Sequence, residues 1–346
     1  MAIGEGGATC MSSGSLQLYL SGNGNIDLLY DNSLPEITLG GAGHPTSYTV
    51  TFEHILKTRS IDKALLELGI RVASMEIPRW KISFNDVVLT REFKPLLCVE
   101  ISNGYFCKIV FDVTPIVTSK DSSQHKVDIE YIGVKELSID HIGLLMLGSY
   151  EEAMSIYSYW SGAVSLQPGS ATDIELPYEF EHAKAKIIAY LPHSDAKLLI
   201  SSDSVNTIIE RTTGMNELIV DLGTTKRLKL EHRGTGSYYP REILLSSILV
   251  YQMNVPEPSI DVNHRIINDI AEIQLSNSGS DAAENVVVVS IAVGNVIDRK
   301  VLGKLEPGDA KKLQLKIKHG AINTIRVIWK HRGKTFFKDL KVRTES

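Results

Sequence analysis

Apolar and polar positions alternate with period two in short runs over most of the chain, at 15–20, 81–88, 108–114, 126–132, 197–200, 217–222, 227–232, 312–318 and 324–330. Period two places successive side chains on opposite faces, so these runs read as half-buried antiparallel strands. Turn-forming clusters such as Ser21-Gly22-Asn23-Gly24 and Asn103-Gly104 separate them. A helical period competes only over 52–68, through Leu56, Leu65, Leu66 and Leu68, and the second half of that stretch is read as strand. The pattern predicts an all-β protein.

The runs also repeat in order. Segment 63–68 resembles 184–189, 80–86 resembles 196–202, 109–114 resembles 218–223, 125–131 resembles 226–232, and 142–147 resembles 246–251. The offset falls from about 121 to about 104 residues, as shorter loops in the second copy would produce. Two tandem β-sandwiches are expected, at 15–161 and 162–255, preceded by a flexible arm at 1–14.

Val255-Pro256-Glu257-Pro258 reads as a stiff extended linker, because each proline also restricts the residue before it. Residues 259–346 hold six or seven short strands, which suits an immunoglobulin-like β-sandwich. The turns Asn277-Ser278-Gly279 and Leu305-Glu306-Pro307-Gly308-Asp309 resemble those of the cell-adhesion-related (CARDB-like) immunoglobulin domain of archaea and bacteria. That resemblance covers about a quarter of the chain and implies a spacer or contact module. The two preceding repeats, through Phe111-Asp112-Val113-Thr114, resemble lectin-like or jelly-roll sandwiches. In architecture alone they are similar to the stacked barrels of archaeal icosahedral virus capsid and turret proteins. The expected fold is all-β: two tandem jelly-roll-like β-sandwiches, then the immunoglobulin-like one.

Composition narrows the function. With 36 Lys and Arg against 41 Asp and Glu the formal net charge is -5, so a general electrostatic nucleic-acid binder is excluded. No apolar run reaches the length that spans a bilayer, and the first 14 residues lack the basic and apolar regions of a secretory signal. None of the 14 Asn residues starts an Asn-x-Ser/Thr sequon. Synthesis in the cytoplasm without a signal peptide is expected, with a virion as one destination. Of three cysteines, Cys98 and Cys107 flank the turn 102–104. Either they stay reduced and half-buried, or they face each other across a hairpin and form a disulfide.

The chemistry searched for is mostly missing. Gly333-Lys334-Thr335 ends like a phosphate loop, but Ile328 stands where the leading glycine belongs. No two of the ten His lie closer than ten positions, so no metal pair is encoded locally and no metal or other cofactor is expected. Asp112 and Asp221 occupy equivalent repeat positions and invite a paired-carboxylate reading. An Asp before Thr or Gly more commonly binds turn amides. No catalytic residue is therefore assigned.

Aromatic clusters remain as candidate contacts: Tyr157, Tyr159 and Trp160 at the junction of the repeats, and Tyr238, Tyr239 and Arg241 in a Gly-rich loop. They suit packing, protein contact or sugar stacking. The expectation is a non-enzymatic assembly protein, a capsid or turret component, whose partners are itself or other subunits. The alternative is a carbohydrate-binding or adhesion protein with a glycan as partner.

Overall fold

The computed structural model describes every residue except 1–8, 12–13, 54–55, 57–59, 77–78, 120–121, 235–240, 255, 332–333 and 344–346. The chain is all-β, with Thr114–Ser119 the one helix among the described residues. It divides into two compact units, Met1–Asn254 and Val255–Ser346.

The first unit is built on three sheets. An inner sheet orders Thr9–Met11, Leu97–Ile101, Gly104–Asp112, Lys63–Val72, Leu137–Ser149 and Ile26–Ser33, with Ile37–Leu39 also paired to Leu137–Ser149. An outer sheet of Ser47–Glu53, Gln124–Tyr131, Trp80–Phe84 and Val87–Thr90 covers one of its faces. Leu66, Leu68, Ile82, Phe84 and Ile129 fill the core between them. The third sheet orders Asn206–Ile209, Leu198–Ser202, Gly214–His232, Ala171–Leu191, Ile243–Asn254, Met154–Leu166 and Gly14–Gly24. Its two longest strands slip register between Glu175 and Phe180 and again at Ala183. Such irregularities bend strands, and both arms of the bent sheet contribute to one core that includes Trp160, Phe180, Ile187 and Leu230.

Strand order reproduces the internal repeat. In the first copy Gly104–Asp112, Lys63–Val72, Leu137–Ser149 and Ile26–Ser33 are successive neighbours; in the second, Gly214–His232, Ala171–Leu191, Ile243–Asn254 and Met154–Leu166 are. Leu66 opposes Leu144 and Glu67 opposes Gly143, just as Ile187 opposes Ile248 and Ile188 opposes Ser247. The strands Ser47–Glu53 and Lys63–Val72 of the first copy correspond to one bent strand, Ala171–Leu191, in the second. Where Gly214–His232 runs on, the first copy breaks its strand at Asp112 and inserts the helix. There Asp112 accepts the Thr114 amide at 3.1 Å and pairs with Lys63, so it serves the turn.

Two expected boundaries need correction. Residue 161 is not an end: Met154–Leu166 runs through it, and Gly14–Gly24 pairs with that strand on the edge of the third sheet. The alternation identified the strand at 15–20 but carries no information about its partner. The arm 1–14 is not wholly free either, because Thr9–Met11 pairs in parallel with Leu97–Val99.

The second unit is a two-sheet sandwich. Its strands Ile260–Ile267, Ile270–Asn277 and Ala310–Lys316 face a sheet ordered Asn295–Leu305, Ala283–Ala292, Ile322–His331 and Lys334–Arg343. The first, second and fifth strands thus lie against the fourth, third, sixth and seventh, an immunoglobulin-like arrangement. Leu275, Val288, Ile325 and Val327 lie in its core. Buried Asn277 pins the turn noted in the sequence: its Oδ1 accepts the Ser259 and Gly279 amides at 3.0 Å, and its Nδ2 donates to the Asp281 carbonyl at 2.6 Å. A Cβ at Gly279 would meet the Glu257 carbonyl oxygen at 2.2 Å, so only glycine fits.

Candidate functional site

The candidate site lies where the inner sheet of the first sandwich packs on the third sheet. Leu28, Leu65, Phe106, Tyr157, Ile188 and Leu249 make most of this seam apolar. Its centre is charged. Glu67, Lys108 and His141 are each at most 1% exposed.

Glu67 sits in the run Ala64-Leu65-Leu66-Glu67-Leu68, which is buried on both faces. A charge there must be paired and hydrogen-bonded, and both carboxylate oxygens are saturated. Oε1 accepts from the Tyr30 hydroxyl and from Ser247 Oγ at 2.9 Å. Oε2 accepts from the Tyr159 hydroxyl and from Ser161 Oγ at 2.8 Å, and Lys108 Nζ stands 2.8 Å away. Burial pushes the Glu67 carboxyl up, but Lys108, His141 and these donors outweigh it and hold it at about 2.

Burial pulls Lys108 below the ordinary lysine range, opposed by Glu67. Its ammonium also donates to Ser246 Oγ at 2.8 Å. Burial, reinforced by Lys108, brings His141 down to about 3, so its ring is neutral at pH 7. His141 Nε2 faces only acceptors, Asn32 Oδ1 at 2.8 Å and Glu67 Oε1 at 3.5 Å. Its Nδ1 faces the donors Lys108 Nζ and Ser246 Oγ. The proton is therefore assigned to Nε2.

Backbone irregularities aim these groups. Register shifts between Ile139 and His141, where Leu137–Ser149 meets Lys63–Val72. It shifts between Ile188 and Ala189, where Ile243–Asn254 meets Ala171–Leu191, leaving Ser246 as the extra residue. A bulge turns a side chain out of the regular alternation. Gly143 gives the ring room: a Cβ there would stand 2.9 Å from both Glu67 Oε1 and His141 Nε2.

Around this centre, side chains tie the two halves at the rim. Asn32 donates to Glu217 Oε2 at 2.7 Å, and Lys186 donates to the Tyr30 carbonyl at 2.8 Å while pairing with Glu217 at 3.0 Å. Glu242 accepts the Ser102 amide at 2.7 Å and its hydroxyl at 2.8 Å. Arg71 forks onto buried Asp140 at 2.6 and 2.8 Å and lies 4.6 Å over the Tyr190 ring. Burial raises the Asp140 carboxyl, opposed by Arg71. Arg71, Ser102, Tyr190 and Glu242 line a small open cavity of about 210 Å³.

The aromatic candidates stand differently from expectation. Tyr157, Tyr159 and Trp160 are 6%, 0% and 5% exposed, so they are not contact residues. Alternation sends Tyr157 and Tyr159 into the seam and Trp160 into the core on the other side of the sheet. Tyr238 and Tyr239 lie outside the described residues. Arg241 is half-buried, and its amide donates to Glu242 at 3.1 Å. Cys98 and Cys107 oppose each other across their hairpin and are joined as a disulfide. No group of three or more His, Cys, Asp or Glu is placed to hold a metal among the described residues. No helix among them is long and apolar enough to cross a membrane.

Sequence reading missed Glu67, Lys108 and His141. One signal was available: a lone carboxylate in a strand otherwise apolar on both faces implies a buried partner.

No protein family matches the chain, and no curated protein matches it. Solved structures of Ruminococcus gnavus β-glucuronidase, free and with uronic isofagomine, align at 11–12% identity and TM-scores of 0.21–0.22. They cover 54% of this chain, and the chain spans about a third of that enzyme's length, 35%.

Proposed function

We propose that this chain is a non-catalytic assembly subunit that works through protein–protein contacts. One observation carries the reading. A cluster of ionisable side chains displaced from ordinary behaviour, Glu67, Lys108 and His141, is sealed between two sandwiches, with Glu67 and His141 0% exposed. Perturbed ionisation at an active site serves a substrate that can reach it. Here the same chemistry joins two β-sandwiches into one body, a mechanical task.

What the body offers outward is sheet. Gly14–Gly24 closes the third sheet at one edge, and an edge strand carries donors and acceptors onto which another chain can add. A subunit of a large shell, such as an archaeal virion, is the finer form of this proposal, and the architectural resemblance of the repeats supports it. Light scattering of the intact chain over a wide concentration range tests the reading, and mass above that of one chain is expected. A monomer at the highest soluble concentration, with saturable binding on a glycan array lost in Tyr239→Ala, overturns it in favour of carbohydrate binding.

A further inference from the structure

We infer that the outward face of the four-stranded sheet in the second unit docks a second copy of this chain, face to face. The inference rests on the assembly reading above and names the surface and the partner.

Register gives the face its composition. Directly opposed residues share a face, and Val288, Ile325 and Val327 point into the core. The positions between them point outward, and the pairings arrange these in level rows. One row is Val301, Val287, Ile328 and Phe337. The next is Arg299, Val289, Arg326 and Asp339. At the two ends of the first row Val301 is 67% exposed and Phe337 61%. Val296, one row beyond the charged one and opposite Ile291, is 62% exposed. A solvated sheet face ordinarily alternates to polar residues, and a continuous apolar row ending in an exposed phenylalanine marks a contact surface.

The order of residues within the rows identifies the partner. Two such faces related by a two-fold axis parallel to the strands keep each row level and reverse it from edge to edge. Val301 then lies over Phe337 of the second copy, and Val287 over Ile328. In the charged row Arg299, at one edge, meets Asp339, at the other. Asp339 is already fixed for this role by Arg326, which forks onto it with two bonds of 2.7 Å and lies 4.6 Å over the Phe337 ring. The apolar row is complementary to its own reversal along its length and the charged row at its two ends, where Arg299 meets Asp339. Self-complementarity is what an isologous dimer interface requires. Sheets stacked in this way sit about 10 Å apart, a gap that Val and Phe side chains fill.

Sedimentation velocity on the intact chain tests the proposal, with Val301→Asp and Phe337→Asp as exposed substitutions that leave the core untouched. Concentration-dependent association is expected, with either variant shifted to half the mass or less. Arg299→Glu should weaken association at least tenfold. Lys312→Glu, the same charge change on the opposite sheet, should leave it unaltered. Association of unchanged mass in Val301→Asp and Phe337→Asp overturns this face and leaves the assembly reading to other surfaces. Equal effects of Arg299→Glu and Lys312→Glu overturn the two-fold arrangement. A monomer at every concentration overturns both readings.

Discussion

In each repeat of the first unit a lysine–carboxylate pair at the seam joins the same two neighbouring strands, with the charges exchanged; the first copy has a second, half-exposed pair between those strands, Lys63 with Asp112. In the first copy the pair is Glu67 on Lys63–Val72 and Lys108 on Gly104–Asp112; in the second it is Lys186 on Ala171–Leu191 and Glu217 on Gly214–His232. The side chains of the first pair are 0% and 1% exposed, whereas Glu217 is 28% exposed. The comparison separates two roles for one motif. A pair at the rim keeps water as a partner, so little depends on its geometry. A sealed pair has no such substitute, and every lone pair of Glu67 must find a donor in the protein. Those donors come from both sandwiches, Tyr30 and Lys108 from one and Tyr159, Ser161 and Ser247 from strands of the other. Sliding the halves by one strand step would leave a buried carboxylate unsatisfied, so the network specifies a single alignment.

The largest expected effect breaks the sealed pair on one side. Glu67→Ala strands the Lys108 ammonium and four hydroxyls in an apolar seam, and should cost about 3–5 kcal/mol in urea unfolding of the intact chain. Glu67→Leu combined with Lys108→Leu should recover the part of that loss due to the stranded ammonium, while the four hydroxyls still lack the carboxylate they donate to. A Glu67→Ala cost below about 1 kcal/mol would place the sealed pair on a par with exposed ones and end the comparison.

Next in size is Tyr159→Phe, which keeps the ring and removes one donor from the carboxylate. A hydrogen bond to a charged group contributes about 1.5–3 kcal/mol, and the loss should lie in that range by thermal or urea unfolding. A neutral result would mean that Tyr159 acts only through its ring, which stands edge-on to Tyr30 with centroids 5.6 Å apart.

Much of the fold was legible in the chain because alternation has a fixed period. The repeat was legible because five segments of the first copy, 63–68 among them, resemble five of the second in the same order, and the pairings of 63–68 and 184–189 with 142–147 and 246–251 proved level. What alternation omits is which sheet a strand joins. Gly14–Gly24 therefore belongs with Met154–Leu166 although its sequence neighbours lie in the other sandwich. The site failed for a related reason. Tyr159 and Trp160 are adjacent and aromatic, a cluster in sequence that the pleat divides between two cores. Glu67, Lys108 and His141 lie far apart in the chain and meet only when their three strands pair side by side in the inner sheet. The third sheet then seals them, and the bulges at Asp140 and Ser246 that help place the cluster leave no pattern in the sequence.

Acid should act on the sealed centre in two stages. Above pH 6.5 His141 is neutral in both folded and unfolded chains and contributes no pH dependence. As pH falls below 6.5 the unfolded histidine takes up a proton that folded His141 resists until about 3, so stability declines. Below 4.5 the unfolded glutamate protonates while folded Glu67 stays ionised until about 2, and the decline steepens. Urea midpoints should fall throughout from pH 6.5 to pH 4. His141→Asn should flatten the limb between pH 6.5 and 4.5, and an unchanged limb in that variant would remove His141 from the account.

The smallest effect belongs to the rim. Glu217→Gln removes a charge but keeps an oxygen that can accept from Asn32, now 2.7 Å away. Lys186 keeps its bond to the Tyr30 carbonyl at 2.8 Å. With Glu217 partly in water, the cost should be at most about 1 kcal/mol. Ionic strength separates the two pairs further, since salt screens exposed charges over about 3 Å at 1 M and hardly reaches buried ones. In 1 M NaCl the Glu217→Gln cost should shrink toward zero while that of Glu67→Ala stays. Equal costs at low salt, or equal sensitivity to salt, would show that burial does not divide the two pairs, and the seam would then owe its alignment to the apolar contacts around them.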